Sequence, residues 1–324
     1  MSTGGVRGRA KRALLRVALL GVLVGLAVTP TAGSATGGTE QLRKVTVAII
    51  VVDPTAQVLY AKHRGIFRKH GIDAQIKIVA PAQAGPALAS GEAQFGAMPA
   101  GTLAQQKSRG APIKAIAGGA LYRPTTATTV LLAAPGSGIR TARDLVGKRV
   151  GLDSPFSIAH VGLLRWLDRN GVDGDDIELA TLDFAQVYAL LMERRVDAAV
   201  LPEPLVTRAL DGGARRIALP FDAVCTRDCL TVVWIARRDV DPDLAARFRV
   251  SVQKAGLWAN QPSNHAASGA ILARYQPIEP ALIAKMTRTT YATRLRVSRA
   301  QPWLDVFREY GLISGPFTAG DLVK

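Results

Sequence analysis

Residues 42–71 read LRKVTVAIIVVDPTAQVLYAKHRGIFRKHG, and this stretch decides the fold. Leu42 to Val52 is rich in β-branched residues and stops at Asp53-Pro54, a turn signal. Val58 to His70 then carries apolar residues at helical spacing and stops at Gly71, a residue suited to a helix C-cap. The same alternation continues outward. Strands are predicted at 74–79, 93–98 and 113–117, with helices at 86–90 and 101–109 between them. A second series follows a β-rich run at 128–134. It holds strands at 149–152, 177–182, 198–201, 216–219 and 230–236, and helices at 158–169, 184–194 and 205–210. Thr141 reads as the cap of a short helix, and Asp183 as the cap of the helix that begins at Phe184. Beyond Asp239 the pattern is helical, at 243–260, 264–274, 279–287 and 298–310. Strands alternating with helices imply parallel pairing, so the fold class is α/β, with two similar lobes and a helical C-terminal tail.

Composition narrows the function. Of 324 residues, 48% are hydrophobic and 20% charged, which is a folding composition, and the length suits two lobes of ordinary size. Two Cys cannot build a Cys-rich metal site, and the four His include no pair at i,i+4 spacing, so neither a metal nor another cofactor is expected. His63, His70, His160 and His265 all fall in helical patterns, and no Ser-His-Asp arrangement is legible; the expectation is a protein that is not an enzyme. The net charge is +16, but Arg7, Arg9, Lys11, Arg12 and Arg16 lie in the first 35 residues without an acid, and the rest of the chain carries +11. Those charges are dispersed and not interleaved with aromatics, so nucleic acid is not the expected partner. A mild attraction to an anionic membrane or cell wall follows instead.

The N-terminus reads as an address. A basic segment precedes twelve uncharged residues, Val17 to Val28, and Pro30 and the small residues 31–35 come next. This is the pattern of a cleaved secretory signal peptide, residues 1–35, since a spanning helix needs about 20 apolar residues. No Cys lies near the cleavage site, so the exported chain is not a lipoprotein; it belongs in the periplasm or on the outer face of the cytoplasmic membrane. Export gives meaning to Cys225 and Cys229 in the sequence CTRDC. Outside the cytoplasm such a local pair is expected to be a disulfide that staples a small loop. A redox pair usually has two intervening residues at a helix start, and here there are three, in a turn.

Several segments resemble the solute-binding proteins of bacterial ABC transporters of the nitrate/sulfonate/taurine type, a group that also takes in thiamine-precursor binders. They are LYAKHRGIFRKHGID at 59–73, LASGEAQFG at 88–96, GIRTARDLVGKRVG at 138–151, RVDAAVLPEP at 195–204 and YGLI at 310–313. In the family's order they cover nearly the whole exported chain. The resemblance implies a two-lobed periplasmic-binding-protein fold of type II with two crossover hinge strands, Thr128–Ala134 outgoing and Leu230–Ala236 returning. Lobe one would be 42–130 plus 231–324, and lobe two 131–230. It further implies a monomer that closes its lobes on a small anionic or zwitterionic solute and presents the closed form to an ABC permease. Two positions depart from the family pattern: Gln94, where an acid is usual, and the loop 54–57, which lacks an aromatic. The fungal pyrimidine synthases of thiamine synthesis are also similar to these binders, but their Cys-rich motif is not matched by Cys225 and Cys229. A ligand-sensing domain is the third reading.

In open α/β sheets, ligands sit beyond the carboxyl ends of the strands, where helix N-termini favour anions. Three strand-to-helix junctions are therefore candidates. Residues 98–102 offer Gly101 for close approach and Thr102 as a donor; residues 153–157 offer Ser154, Ser157 and an aromatic wall, Phe156; residues 53–57 offer Thr55 and Gln57. The same residue types are ordinary helix caps, so each has that second reading. Phe184 could line the cleft or pack in the core. Glu203, between two prolines, could hold an ammonium or amide N–H of a zwitterion; its other readings are a salt bridge to an Arg or a solvated place at the hinge.

Overall fold

The computed structural model describes residues 41–324 other than Ala82 and Pro277. The signal segment expected at 1–35 lies outside the described residues, and among these no helix is long and apolar enough to cross a membrane. The first half of the chain forms β1 (Arg43–Ile49), α1 (Gln57–His63), α2 (Ile66–Lys69), β2 (Ile72–Ile78), α3 (Ala84–Ala89), β3 (Phe95–Pro99), α4 (Ala100–Ser108), β4 (Ile113–Gly118) and β5 (Ala120–Tyr122). Next come β6 (Thr129–Ala133), β7 (Arg149–Leu152), α5 (Ile158–Arg169), β8 (Glu178–Thr181), α6 (Phe184–Met192), β9 (Ala198–Pro202), α7 (Leu205–Asp211) and β10 (Arg215–Ala218). The return consists of β11 (Cys229–Leu230) and β12 (Val232–Arg237), followed by α8 (Pro242–Ala259), α9 (His265–Ala273), α10 (Pro280–Lys285), β13 (Thr290–Tyr291) and α11 (Gln301–Glu309).

Two five-stranded sheets result, in the orders β2-β1-β3-β12-β4 and β10-β6-β9-β7-β8. In the first, β1 runs parallel to β2 and β3, while β12 is inserted antiparallel between β3 and β4. In the second, β7 runs parallel to β8 and β9, and β6 is antiparallel to β9. Each predicted crossover strand thus belongs to the sheet it enters, β6 to the second and β12 to the first. A third, small sheet of β11, β5 and β13 stands where the chain passes between them.

Burial follows the period of two. Val47 and Ile49 of β1 pack with Trp234 and Phe248 on one face of the first sheet, under α1 and α8; Ala48 faces the other way, with Met98, Trp303 and Phe307 under α4 and α11. In the second sheet Leu131 and Ala133 face α5, while Val130 and Leu132 face α6 and α7. Both faces are covered, which is why these strands read as nearly unbroken apolar runs. Each large side chain so buried contributes roughly 1.5–3 kcal/mol.

Local departures have local causes. The helix expected at 58–70 breaks at Gly65, whose φ of 66° lies in the left-handed region that glycine enters without strain. Thr141 is not a cap: Asp144 Oδ2 accepts the amides of Arg140 and Thr141 instead, each at 2.8 Å. The strand expected at 230–236 is interrupted at Thr231, between β11 and β12. Asp183 does cap α6, accepting the Gln186 amide at 2.9 Å. Gln94, the first departure from the family pattern, accepts the Thr46 amide at 2.8 Å at the start of β3, the end of that strand away from its carboxyl terminus. Cys225 and Cys229 are joined in a disulfide with Cα atoms 5.8 Å apart, both buried in the cluster that holds Phe221 and Trp303.

Candidate functional site

One cleft of about 340 Å³ is lined by residues that end or follow β1, β3, β7, β8 and β9. The antiparallel strands β6 and β12 contribute to it at their amino ends, through Thr128, Thr129, Thr231 and Val232. Both sheets therefore turn the same edge, the carboxyl ends of their parallel strands, toward one space. The walls are mainly apolar: Ile50, Val52, Pro54, Met98, Pro99, Leu121, Phe156, Phe184 and Phe221 are among them. Among the described residues, none of those lining the cleft is Lys, Arg or His.

Of the residues singled out by sequence, Thr55, Thr102, Ser154, Phe156, Ser157 and Phe184 line this cleft. Two of their hydroxyls are already used. Thr55 donates to Ile50 O at 2.5 Å. Ser157 donates to Asp153 Oδ1 at 2.6 Å and accepts the His160 amide at 3.2 Å, as the N-cap of α5. Thr102 and Ser154 are half-buried at the starts of the loops and helices that face the cleft. Phe156 is 47% exposed and holds φ at 56°, a left-handed conformation that costs a non-glycine residue about 1 kcal/mol or more. Its amide donates to His160 Nδ1 at 2.9 Å. Burial keeps His160 at about 4, so the ring is neutral and that nitrogen is free to accept.

Three expected residues stand elsewhere. Gln57 is fully buried in the core of α1, accepting Trp234 Nε1–H at 2.7 Å and donating to Val252 O at 3.2 Å. A single apolar-polar pattern cannot say which way a helix-start amide turns, and here the buried indole N–H requires a partner. Gly101 is a packing residue: a Cβ there would lie 2.5 Å from Phe307 Cε2, so its smallness serves the seating of α11 on α4. Glu203 is 1% exposed and does not line the cleft. Its carboxylate accepts the Thr207 amide at 3.1 Å, the Thr207 hydroxyl at 2.8 Å and the Thr287 amide at 3.1 Å. Burial pushes its carboxyl up to about 7, against the lowering effect of those bonds.

Beside Glu203 lies a second buried acid. Asp53 is fully buried and accepts the Thr289 amide at 2.7 Å and Arg288 Nη2–H at 3.2 Å; Tyr60 and Tyr291 hydroxyls bond it at 3.2 and 3.1 Å. The Asp53 amide in turn donates to Glu203 O at 3.1 Å. Residues 287–289 thus grip both acids, one following β1 and the other following β9.

Sequence reasoning did not single out two residues of the cleft. Asp153, directly after β7, is the one carboxylate in the lining, and burial pushes it up to about 6. Its signal was an acid at a strand's carboxyl end, which is indistinguishable in sequence from a helix cap. Thr289 is 5% exposed, lines the cleft, and its hydroxyl has no hydrogen-bond partner among the described residues. No motif marks it, because it comes from the C-terminal segment that returns to the cleft.

Two α/β sheets joined by crossover strands, with a cleft at their shared edge, define the periplasmic-binding-protein fold. Solved structures share it. The alkanesulfonate-binding protein SsuA from Xanthomonas axonopodis pv. citri, bound to MOPS, superposes with a TM-score of 0.71 at 22% identity, covering 88% of this chain and 99% of that one. The ligand-binding component of an ABC-type import system from Staphylococcus aureus gives 0.75 at 16% identity, over 87% and 96% of the two chains. The nitrate-binding protein NrtA from Synechocystis PCC 6803 gives 0.68 at 14% identity, over 84% and 82%. A binding protein of Brucella abortus is 24% identical over 285 residues, covering 82% of this chain and 85% of that protein. Residues 54–264 match the family model described as NMT1/THI5 like, and the chain belongs to that family.

Proposed function

We propose that this chain is the extracytoplasmic solute-binding subunit of an ABC importer, exported after loss of residues 1–35, and that it captures a small anionic or zwitterionic organic solute by lobe closure. The observation that carries the reading is the cleft itself. Both sheets contribute strand ends to it, and the chain passes between them through short segments suited to absorb a hinge motion. Lobe one would comprise 42–130 plus 231–324, and lobe two 131–230. A solute that touches both lobes favours the closed state by as much as it binds that state better than the open one. An ABC permease would read the closed form of the monomer. The anionic end of the solute suits the start of α4, where the Ala100 amide is engaged by Thr231 O but Thr102 stands free to donate. The named ligands of the alkanesulfonate- and nitrate-binding relatives support an anionic group.

The test is mass spectrometry of small molecules released on denaturing the protein purified from its own host, followed by thermal-shift titration of the solute found. The expected result is one organic solute that raises the melting temperature. Thr102→Ala and Ser154→Ala should each weaken its binding by about 1.5–3 kcal/mol, the cost of a hydrogen bond to a charged group. A protein that yields no solute, and is not stabilised by sulfonates, amino-sulfonates or carboxylates, would sink the reading.

A further inference from the structure

We propose that Asp153 is a subsite for a protonated nitrogen, so that the solute carries an amine-type cation on an apolar, ring-sized body; the inference rests on the solute-binding reading and extends it. The first support is the charge inventory of the cleft. Asp153 is the single carboxylate in the lining, no lining residue is a cation, and no ion pair to Asp153 is formed among the described residues. Asp153 is half-buried, and a carboxylate partly withdrawn from water without a counter-ion gains from a ligand that supplies the opposite charge. Its hydrogen-bond donors are all neutral: Oδ1 takes the Ser157 hydroxyl at 2.6 Å, and the Ser154 hydroxyl and the Asp153 and Ser154 amides also act on the carboxylate, with no cation among them. Glu203, by contrast, has three donors and no place in the lining.

The second support is position. Asp153 lies five residues before α5 and accepts the hydroxyl of that helix's N-cap, Ser157, so a negative charge already stands beside the cap. A sulfonate or carboxylate brought to the same place meets like charge at close range. Burial lifts Asp153 to about 6, which leaves it ionised at pH 7.5.

The third support comes from the other groups aimed at the same space. Thr289 is buried, lines the cleft, and has an unpartnered hydroxyl; its own amide is fixed on Asp53 Oδ2 at 2.7 Å, so the hydroxyl is held in place for a ligand. Phe156, three residues after Asp153 and at φ 56° with its amide on the neutral His160, and Phe184 add apolar surface to the same cleft. A cation beside aromatic faces gains further attraction. A strained, half-exposed phenylalanine is a costly feature for which packing alone gives no reason.

The experiment compares three probes with the same ring: benzylamine, benzyl alcohol and benzenesulfonate, titrated calorimetrically into the mature protein at pH 7.5. Benzylamine should bind about tenfold more tightly than benzyl alcohol, and Asp153→Asn should leave benzenesulfonate binding unchanged or tighter, since a sulfonate suits the start of α4 and gains nothing from Asp153. Asp153→Asn should bring benzylamine to the level of benzyl alcohol and move benzyl alcohol less than about twofold. Benzylamine binding no tighter than benzyl alcohol, benzylamine unaffected by D153N, or no benzylamine binding at about 10 mM would each overturn the subsite. The ranking in the unaltered protein decides the matter even where D153N fails to fold. None of these results touches the solute-binding reading, which stands or falls on the co-purifying solute.

Discussion

Glu203 and Asp153 follow neighbouring strands, β9 and β7, that pair in parallel, yet they occupy opposite situations. Glu203 is closed off. Three donors from Thr207 and Thr287 meet its carboxylate, and its backbone carbonyl takes the Asp53 amide. Asp153 opens on the cleft, half-buried and without a cation beside it, and a threonine hydroxyl unpartnered among the described residues lines the same space. A buried polar group whose bonds are all made holds structure together; one whose bonds are partly unmade is provided for something that is not yet there. The two acids thus distinguish a closed joint between the segments that follow β1 and β9 from the open cleft.

The contrast can be broken most sharply at the joint. Arg288→Met would leave the fully buried Asp53 without its cation and should destabilise the fold by about 3–5 kcal/mol, read from urea unfolding. A loss under about 1 kcal/mol would show that Asp53 does not depend on the arginine. Next in size is the pH response of Glu203. Its carboxyl stands at about 7 in the folded chain against an ordinary 4.5, so between those values the folded state holds a proton that the unfolded state has released. The contribution of Glu203 to stability should therefore fall as pH rises from about 4.5 to 7, by on the order of 2–3 kcal/mol, read as the difference between the unaltered chain and Glu203→Gln. His160 works in the opposite sense: its pKa is lowered to about 4 from 6.5, so its contribution is present above 6.5 and lost as pH falls through 4. Glu203→Gln should remove the first slope alone, with solute affinity unchanged within about twofold. Identical pH–stability curves for the unaltered chain and E203Q would remove Glu203 from this account. The smallest stability effect is expected at the cleft. Phe156→Gly gives up partial burial but relieves the left-handed backbone, and should change stability by less than about 1 kcal/mol while weakening solute binding about tenfold or more. A large loss of stability with intact binding would make Phe156 a packing residue and erase the distinction.

Much of the fold was legible because alternation at period two and helical spacing survive in single segments. The expected strands at 113–117, 149–152 and 198–201 coincide with β4, β7 and β9 to within one residue at either end. The small sheet was not legible, since β11 and β13 are two residues long and β5 three, too short for any period to show. In the site, the junctions after β1, β3 and β7 do line the cleft, as strand ends in such sheets should. The particular residues were less secure. Gln57 bonds Trp234, 177 positions away, and Glu203 bonds Thr287, 84 positions away; no local pattern carries those partners.

The sequence by itself determined the α/β order, the edge of the sheets at which residues converge, and the family resemblance, because each rests on local spacing and short motifs. The tertiary structure alone decided the antiparallel place of β12, the burial of Glu203 and Gln57, and the openness of Asp153 and Thr289. The reason is physical: local spacing fixes which face of an element is apolar, but whether a polar group is satisfied depends on donors and acceptors supplied by distant segments, and those meet only when the chain has folded.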